Sequence, residues 1–365
     1  MNKNILKRFL ILIISCLFIM GCSVNLNEDN NVSGNLPGIE IHYIDVGQGD
    51  ATLIKVDGHA MLIDAGNNSK GTYVQSYLMK EGISTLDYVI GTHPDADHIG
   101  GIDVVIYNFD CDTIIMPDCE KDTKTYDDVI QTMKNKNYSL TYPKVGTTYK
   151  LGDAEFTIIA PNKNYSNAND NSVGIILKYG NNKFLFTGDA EEQSEQDMIN
   201  NGIDISADVY KAAHHGSRTA SSESFMKKVN PKYVVISAGE GNSYGHPHSE
   251  ILNYCRMHNI EVYRTDEMGT IILKSDGKNI TFNTSSSDSW TPGEEGSSDS
   301  NTIDKNDNSQ LNQEDNYIIN RNSKKFHKAN CSSVKKMSEN NKEYTDLSRD
   351  ELIQEGYSPC SICEP

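Results

Sequence analysis

The chain has 365 residues, 37% of them hydrophobic, which suffices for one domain with a real core plus appendages. Its 51 Asp and Glu outnumber 33 Lys and Arg, for a net charge of −18. This excludes nucleic-acid binding over a broad basic surface, because phosphate affinity comes from Lys and Arg; any such contact has to be local and metal-assisted, and otherwise the charge serves solubility.

Residues 1–22 read as an export signal. Lys3, Lys7 and Arg8 form a basic start, Phe9 to Met20 an apolar run broken only by Ser15, and Gly21 precedes Cys22. The apolar run is short for a membrane span. Ile19-Met20-Gly21-Cys22 resembles a bacterial lipobox, although Met20 is an unusual residue there. The resemblance implies lipidation at Cys22 and a lipoprotein on the outer face of a bacterial cell membrane; a plain secretory signal or an uncleaved anchor is the alternative. Residues 23–38, rich in Asn, Ser and Gly, suit a disordered tether.

Ile39 to Val46 alternates with period two and predicts a strand. Gly47-Gln48-Gly49-Asp50 turns the chain into strands over Ala51–Val56 and Ala60–Ile63, the second ending in Asp64-Ala65-Gly66. Val74, Tyr77 and Leu78 stand at helical spacing before Gly82. Strands are predicted over Leu86–Ile90, Thr113–Met116, Val145–Tyr149, Glu155–Ile159, Val173–Lys178, Lys183–Phe186, Tyr233–Ser237, Glu261–Arg264 and Thr270–Lys274. Helices are predicted over Tyr126–Lys136, Glu191–Asn200, Ser222–Val229 and Ser249–His258. Strands grouped towards each end, with helices between, predict two sheets covered by helices.

The strand over Leu86–Ile90 runs into Thr92-His93-Pro94-Asp95-Ala96-Asp97-His98. Four potential metal ligands lie within six residues, and imidazoles and carboxylates so gathered suit a zinc- or manganese-type cation. Three later strands also end in polar side chains: Asp189 after F-L-F-T-G, His214 and His215 after V-Y-K-A-A, and His246 in N-S-Y-G-H-P. Singly, Asp189 suits a helix N-cap and His246 a surface histidine; together with the first loop they suggest one site.

T-H-P-D-A-D-H-I-G-G resembles the H-x-[HD]-x-D-H signature of the metallo-β-lactamase superfamily, in the aspartate-bearing form of ComEC-type competence hydrolase domains. V-G-Q-G-D-A and L-I-D-A-G resemble the opening of such a domain. The resemblance implies a four-layer αβ/βα sandwich over 39–283 with two divalent metal ions, Zn or Mn. It implies His93 and Asp95 on one metal, Asp97 and His98 on the second, and Asp189 bridging. His214, directly after its strand, is preferred as a further ligand, with His215 the alternative. The family's additional histidine is missing from Asn169 to Val173, which favours oxygen-rich coordination and manganese. Asp97 is also expected to orient the attacking water, His246 to protonate the leaving oxygen, and Ser217 and Asn242 to contact substrate.

A Ser, Asp, Asn and Glu tract over 284–316 reads as a disordered linker. The module 317–365 carries His327, Cys331, Cys360 and Cys363, H-x3-C with a later C-x2-C, the spacing of a closed structural zinc site. It is similar to the metal-binding domain of the Ada DNA-repair protein, with His327 where Ada has its methyl-accepting cysteine, so repair chemistry is not implied. Its lysines could grip phosphate, or simply be solvated. Of the remaining cysteines, Cys111 and Cys119 are conceivable as a disulfide and equally as thiols.

These readings converge on a secreted, membrane-anchored metallo-hydrolase, a phosphodiesterase or nuclease acting on extracellular DNA. The alternatives are a hydrolase of the same fold for a phosphocholine ester, lactone or β-lactam, and a non-catalytic surface factor that binds DNA for uptake. No protein partner is identifiable.

Overall fold

The computed structural model describes residues 38–293 and, in the tail, 317–328, 331–337, 341–345, 352–353, 356–360 and 362–363. The signal with Cys22, the tether through 37 and residues 294–316 of the linker lie outside the described residues. The chain divides into two compact units, Met1–Ser297 and Ser298–Pro365.

The first unit is built on two sheets. One holds eight strands in the spatial order Ile280–Phe282, Ile271–Ser275, Ile39–Tyr43, Thr52–Val56, His59–Ile63, Thr85–Ile90, Asp110–Ile115 and Leu140–Thr141. The other holds seven, in the order Glu261–Arg264, Tyr233–Ile236, Val209–Lys211, Asn182–Phe186, Gly174–Tyr179, Ala154–Ala160 and Thr148–Leu151. Period-two patterning sets the layers. In Thr52–Val56, Ile54 and Val56 enter the core between the sheets, whereas Leu53 enters the cluster under the outer helices. Tyr43, Phe156 and Phe184 fill the inter-sheet core and are fully buried; each such side chain contributes about 1.5–3 kcal/mol by leaving water.

Helices cover the two outer faces. Gly71–Lys80 presents Val74 and Leu78 to the first sheet, joined by Ile102–Asn108 and Lys124–Asn135. Glu192–Asn200, Glu223–Val229 and Ser249–Met257 cover the second. The result is the αβ/βα sandwich that the resemblance implies.

Four neighbouring strands of the first sheet are mutually parallel, His59–Ile63, Thr85–Ile90, Asp110–Ile115 and Leu140–Thr141. So are four of the second, from Asn182–Phe186 to Glu261–Arg264. Parallel strands place their carboxyl ends along one edge, so the loops after 63, 90, 186, 211 and 236 gather there. Open α/β sheets bind ligands at that edge.

Several expectations need correction. The first strand ends at Tyr43. Val145 is outside the next predicted strand, because Gly146 turns at φ +86° and pairing starts at Thr148. Leu140–Thr141 and Ile280–Phe282 are edge strands too short for a period to show in the sequence. Of the two readings left open for Cys111 and Cys119, the structure has free thiols.

Among the described residues of the second unit, Lys342–Thr345, Tyr317–Asn320, Lys325–Lys328 and Ser358–Pro359 form a sheet in that order. Alternation divides its small core. Tyr317 and Ile319 pack with Phe326 and Leu352, while Ile318 packs with Cys331, Val334 and Cys360 on the opposite face. Among the described residues no helix is long and apolar enough to cross a membrane.

Candidate metal centre

The loop after Thr85–Ile90 makes a short helix, Ala96–Ile99, with Asp95 at its N-cap. That turn buries His93 and His98 completely and leaves Asp97 and Asp95 about one third exposed. Glycine makes the close packing possible. A Cβ on Gly49 would lie 2.4 Å from the carbonyl oxygen of Asp97, and one on Gly100 2.3 Å from the amide nitrogen of Asn68.

Asp189 sits at the centre. Its Oδ2 lies 3.2 Å from His98 Nε2, 3.6 Å from His215 Nε2, 3.8 Å from His214 Nε2 and 3.9 Å from His93 Nε2. His93, His98 and Asp189 offer ligand atoms all within 4.8 Å of one another; so do Asp97, His98 and His215, and so do Asp50, Asp189 and His215. Nε2 of His93, His98 and His215 and Oδ1 of Asp189 are buried without a hydrogen-bond partner. Buried polar atoms are ordinarily paired, so four orphans facing one another fit a cation. The donors are nitrogen and oxygen only, which suits Zn or Mn.

The opposite nitrogens are occupied. Asp64 is fully buried and lies 2.8 Å from His98 Nδ1, while also accepting Thr92 N and Oγ1 at 2.8 and 2.7 Å. His215 Nδ1 donates to the carbonyl of Ser237 at 2.9 Å. Ser172 Oγ lies 3.3 Å from His93 Nδ1 and accepts Asp189 N at 3.1 Å. These contacts hold each ring with Nε2 aimed inward. Ser172 belongs to the stretch that lacks the family's additional histidine; here it supports His93 and Asp189.

Charge follows the same geometry. For His98, burial opposes the charged form, but Asp189 and Asp64 outweigh it and raise its pKa well above the usual imidazole value. For His215, burial is likewise outweighed by Asp189 and Asp50, bringing it to about 9. Burial would raise Asp189 and Asp97, yet the surrounding imidazoles hold both below the ordinary carboxylate range. His93 is pushed down to about 4, by burial first and by His98 next.

The structure separates the two neighbouring histidines. His214 and His215 both adopt positive φ, 50° and 55°, a region that residues other than Gly mostly avoid. This double left-handed turn breaks the strand alternation. His215 is 1% exposed and 3.3 Å from Asp97, whereas His214 lies at the rim with Nδ1 3.1 Å from Glu191. His214 divides its nitrogens between Asp189 and Glu191; His215 Nε2 joins Asp97 and Asp189.

The other expected contact residues have hydrogen-bond partners within their own loops. Both donor positions of the Asn242 amide are spent on the carbonyls of Gly239 and His246, and its oxygen accepts Tyr244 N and His246 N. Ser217 Oγ is tied to Thr219 N and Oγ1. These residues shape loops. His246 lines the site with its ring 5.9 Å from that of His215 and 5.4 Å from that of His214. Burial and then the neighbouring histidines push its pKa down to about 3. Its buried ring faces the cluster without reaching a carboxylate of it.

Some residues at the site were not anticipated. Asp50 of G-Q-G-D is buried, 2.5 Å from Lys211 Nζ and 3.4 Å from His215 Nδ1. Gln48 of the same turn reaches His246 Nδ1 at 3.4 Å and accepts Gly239 N at 3.3 Å. Lys121 lies 2.6 Å from Asp95. The turn glycines flag the first two, but nothing local flags Lys121. A second acidic group, Glu40, His42 and Glu81, already holds Lys55, 3.2 Å from Glu40 and 3.0 Å from Glu81.

In the tail, ligand atoms of His327, Cys331, Cys360 and Cys363 lie within 4.8 Å of one another. The sulfurs of Cys331 and Cys360 are 4.0 Å apart, twice a disulfide length. Both nitrogens of His327 are buried without a partner. Four N and S donors so disposed fit a metal ion.

Residues 44–240 match the metallo-beta-lactamase superfamily. The chain is 30% identical over 262 residues to ComE operon protein 3 of Bacillus subtilis, covering 67% of this chain and 34% of that protein. It is 31% identical over 241 residues to Recombination protein 2 of Haemophilus influenzae, covering 64% and 29%, and 27% identical over 231 residues to competence protein ComA of Neisseria gonorrhoeae, covering 62% and 31%. It spans about a third of the length of these curated relatives. Among solved structures it is similar to YhfI of Bacillus subtilis, at 14% identity and a TM-score of 0.44 over 65% of this chain and 100% of that one. With the match covering more than half of the chain and the identity to ComE operon protein 3 extending over two thirds of it, this protein belongs to the metallo-β-lactamase superfamily and is ComEC-like within it.

Proposed function

We propose that the protein is a metal-dependent phosphodiesterase that cleaves DNA outside the cell. The observation that carries this reading is the group of unpartnered Nε2 atoms of His93, His98 and His215 around Asp189. Two of the relatives are named for recombination and competence, processes that handle DNA. His93, Asp95 and Asp189 would hold one divalent cation, and Asp97, His98, His215 and Asp189 the other, with His214 at the rim. The oxygen share of this set favours manganese over zinc.

Cations there would activate water and neutralise a phosphodiester. The chain's own residues do the positioning. Asp64 and the Ser237 carbonyl orient His98 and His215. Asp97, one third exposed at the mouth, can orient the attacking water. His246 offers a hydrogen-bonding wall.

We further propose lipid attachment at Cys22, a hydrolase domain over 39–283 and a zinc-stabilised module over 317–365. Of the segment 284–316 expected as a disordered linker, residues 284–293 instead pack on the first unit, with Trp290 against its core and Arg264 Nη1 donating to the Thr291 carbonyl at 2.7 Å. Cys22→Ser should release the protein or leave an unprocessed precursor, detected by membrane fractionation; a mature, lipid-free N-terminus at another residue would sink that idea.

The purified protein should be assayed against DNA, RNA, bis-p-nitrophenyl phosphate and nitrocefin with Mn, Zn or Mg. Cleavage of DNA that stops on chelation supports the reading. DNA cleavage indifferent to chelation overturns it, and turnover of nitrocefin or lactones alone assigns another substrate.

A further inference from the structure

The loop after Tyr233–Ile236 carries an aromatic ring to the mouth of the metal centre. Tyr244 is 64% exposed. Its ring lies nearly parallel to that of His246, 18° apart with centroids at 5.7 Å. His246 is buried and next to His214 and His215. A row of rings thus leads from solvent to the candidate ligands.

The loop is held in this form. Asn242 Oδ1 accepts Tyr244 N at 3.2 Å and His246 N at 3.0 Å, and its amide donates to two carbonyls. Gln48 ties His246 and Gly239 to the opposite sheet. An exposed ring on a braced loop loses little entropy when a ligand stacks on it.

Charge narrows the ligand. The chain carries −18, and cations on the loops of the site are paired with carboxylates, Arg218 with Glu250 at 3.3 Å, Lys121 with Asp95 at 2.6 Å and Lys211 with Asp50 at 2.5 Å. Phosphate attraction to side chains is therefore weak on this surface, and a polyanion needs a contact that does not depend on charge. Base stacking on an aromatic ring is such a contact.

Resting on the phosphodiesterase reading, we propose that Tyr244 is the stacking platform for a nucleobase beside the scissile phosphate, and that the substrate is single-stranded. In a duplex both faces of an internal base are covered by its neighbours, so only unpaired bases and frayed ends can use the platform. Tyr244 acts as a binding and specificity residue.

The test uses the full chain and an oligothymidylate. With Ca²⁺ in place of Mn²⁺, fluorescence anisotropy reads binding separately from cleavage. Tyr244→Ala should weaken single-strand binding about ten- to hundredfold, while Tyr244→Trp should retain it. The wild type should bind the single strand better than a blunt duplex, with a shallow salt dependence. An oligonucleotide abasic next to the cleavage site should bind wild type and Tyr244→Ala alike. Equal affinity of wild type and Tyr244→Ala for the intact strand, the same loss on the abasic strand, or no single-strand binding by the wild type would each overturn the inference. Binding that depends on Tyr244 without cleavage in Mn²⁺ would leave the platform standing and remove the phosphodiesterase reading.

Discussion

Asp64 touches no substrate-facing surface, yet His98 depends on it. Its carboxylate fills the Nδ1 side of that ring and so dedicates Nε2 to the cluster. Removing such a support ordinarily costs ten- to a hundredfold in metal affinity. Asp64→Asn should show that loss by calorimetric titration of Mn or Zn, and unchanged affinity would contradict the role. A second comparison concerns the histidine pair. His215→Ala should lower bound metal measured by elemental analysis far more than His214→Ala, because His215 reaches both Asp97 and Asp189; the reverse order would support the preference drawn from strand adjacency. The motif residues were legible in the sequence because they follow buried strands in a dense polar cluster. Which neighbour of His214 and His215 turns inward was not, since two left-handed residues in succession leave no local signature.

At the scale of elements, helix Glu192–Asn200 braces helix Glu223–Val229 through one carboxylate. Glu195 is buried and accepts the amides of Ser221 and Ser222 ahead of the second helix. Burial raises its pKa from 4.5 to about 7. Between these values the folded state binds more protons than the unfolded one, so this group makes stability fall as pH rises from 4.5 through 7. The ionised form costs on the order of 3 kcal/mol above that window. Glu195→Gln should therefore be more favourable relative to wild type at pH 8 than at pH 5 in urea unfolding with metal held constant; a difference equal at both pH values would refute the shift. In the core, Phe184→Ala should cost about 3–5 kcal/mol, because the ring lies fully between the sheets. The four helices given bounds were readable within two residues at their ends, whereas strand ends missed by up to three. The edge strands Leu140–Thr141 and Ile280–Phe282 were not, since pairing rather than pattern defines them.

At the scale of the whole molecule, the two units offer different donor sets, nitrogen and oxygen in the first and nitrogen and sulfur in the tail. Four N and S donors in the tail leave no open position, so the ion there would be structural. The module has only two small apolar clusters, and metal binding would supply much of its folding energy. Deleting 317–365 should remove one zinc equivalent, and Cys360→Ser should leave that segment open to protease; unchanged zinc content would exclude the site. The sequence alone determined the two-unit division, the layered fold and both ligand-rich motifs, because composition, period and residue spacing are local and additive along the chain. Only the tertiary structure decided that Asp50, Asp64, Lys211 and Gln48 lie at the candidate metal centre, that Asn242 and Ser217 hydrogen-bond within their own loops, and that His246 is buried beside His214 and His215. Each of those outcomes depends on which atoms meet across the two sheets, at sequence separations of up to 198 residues in the contact between Gln48 and His246, and no local pattern encodes which partner a polar group finds or how deeply it is buried.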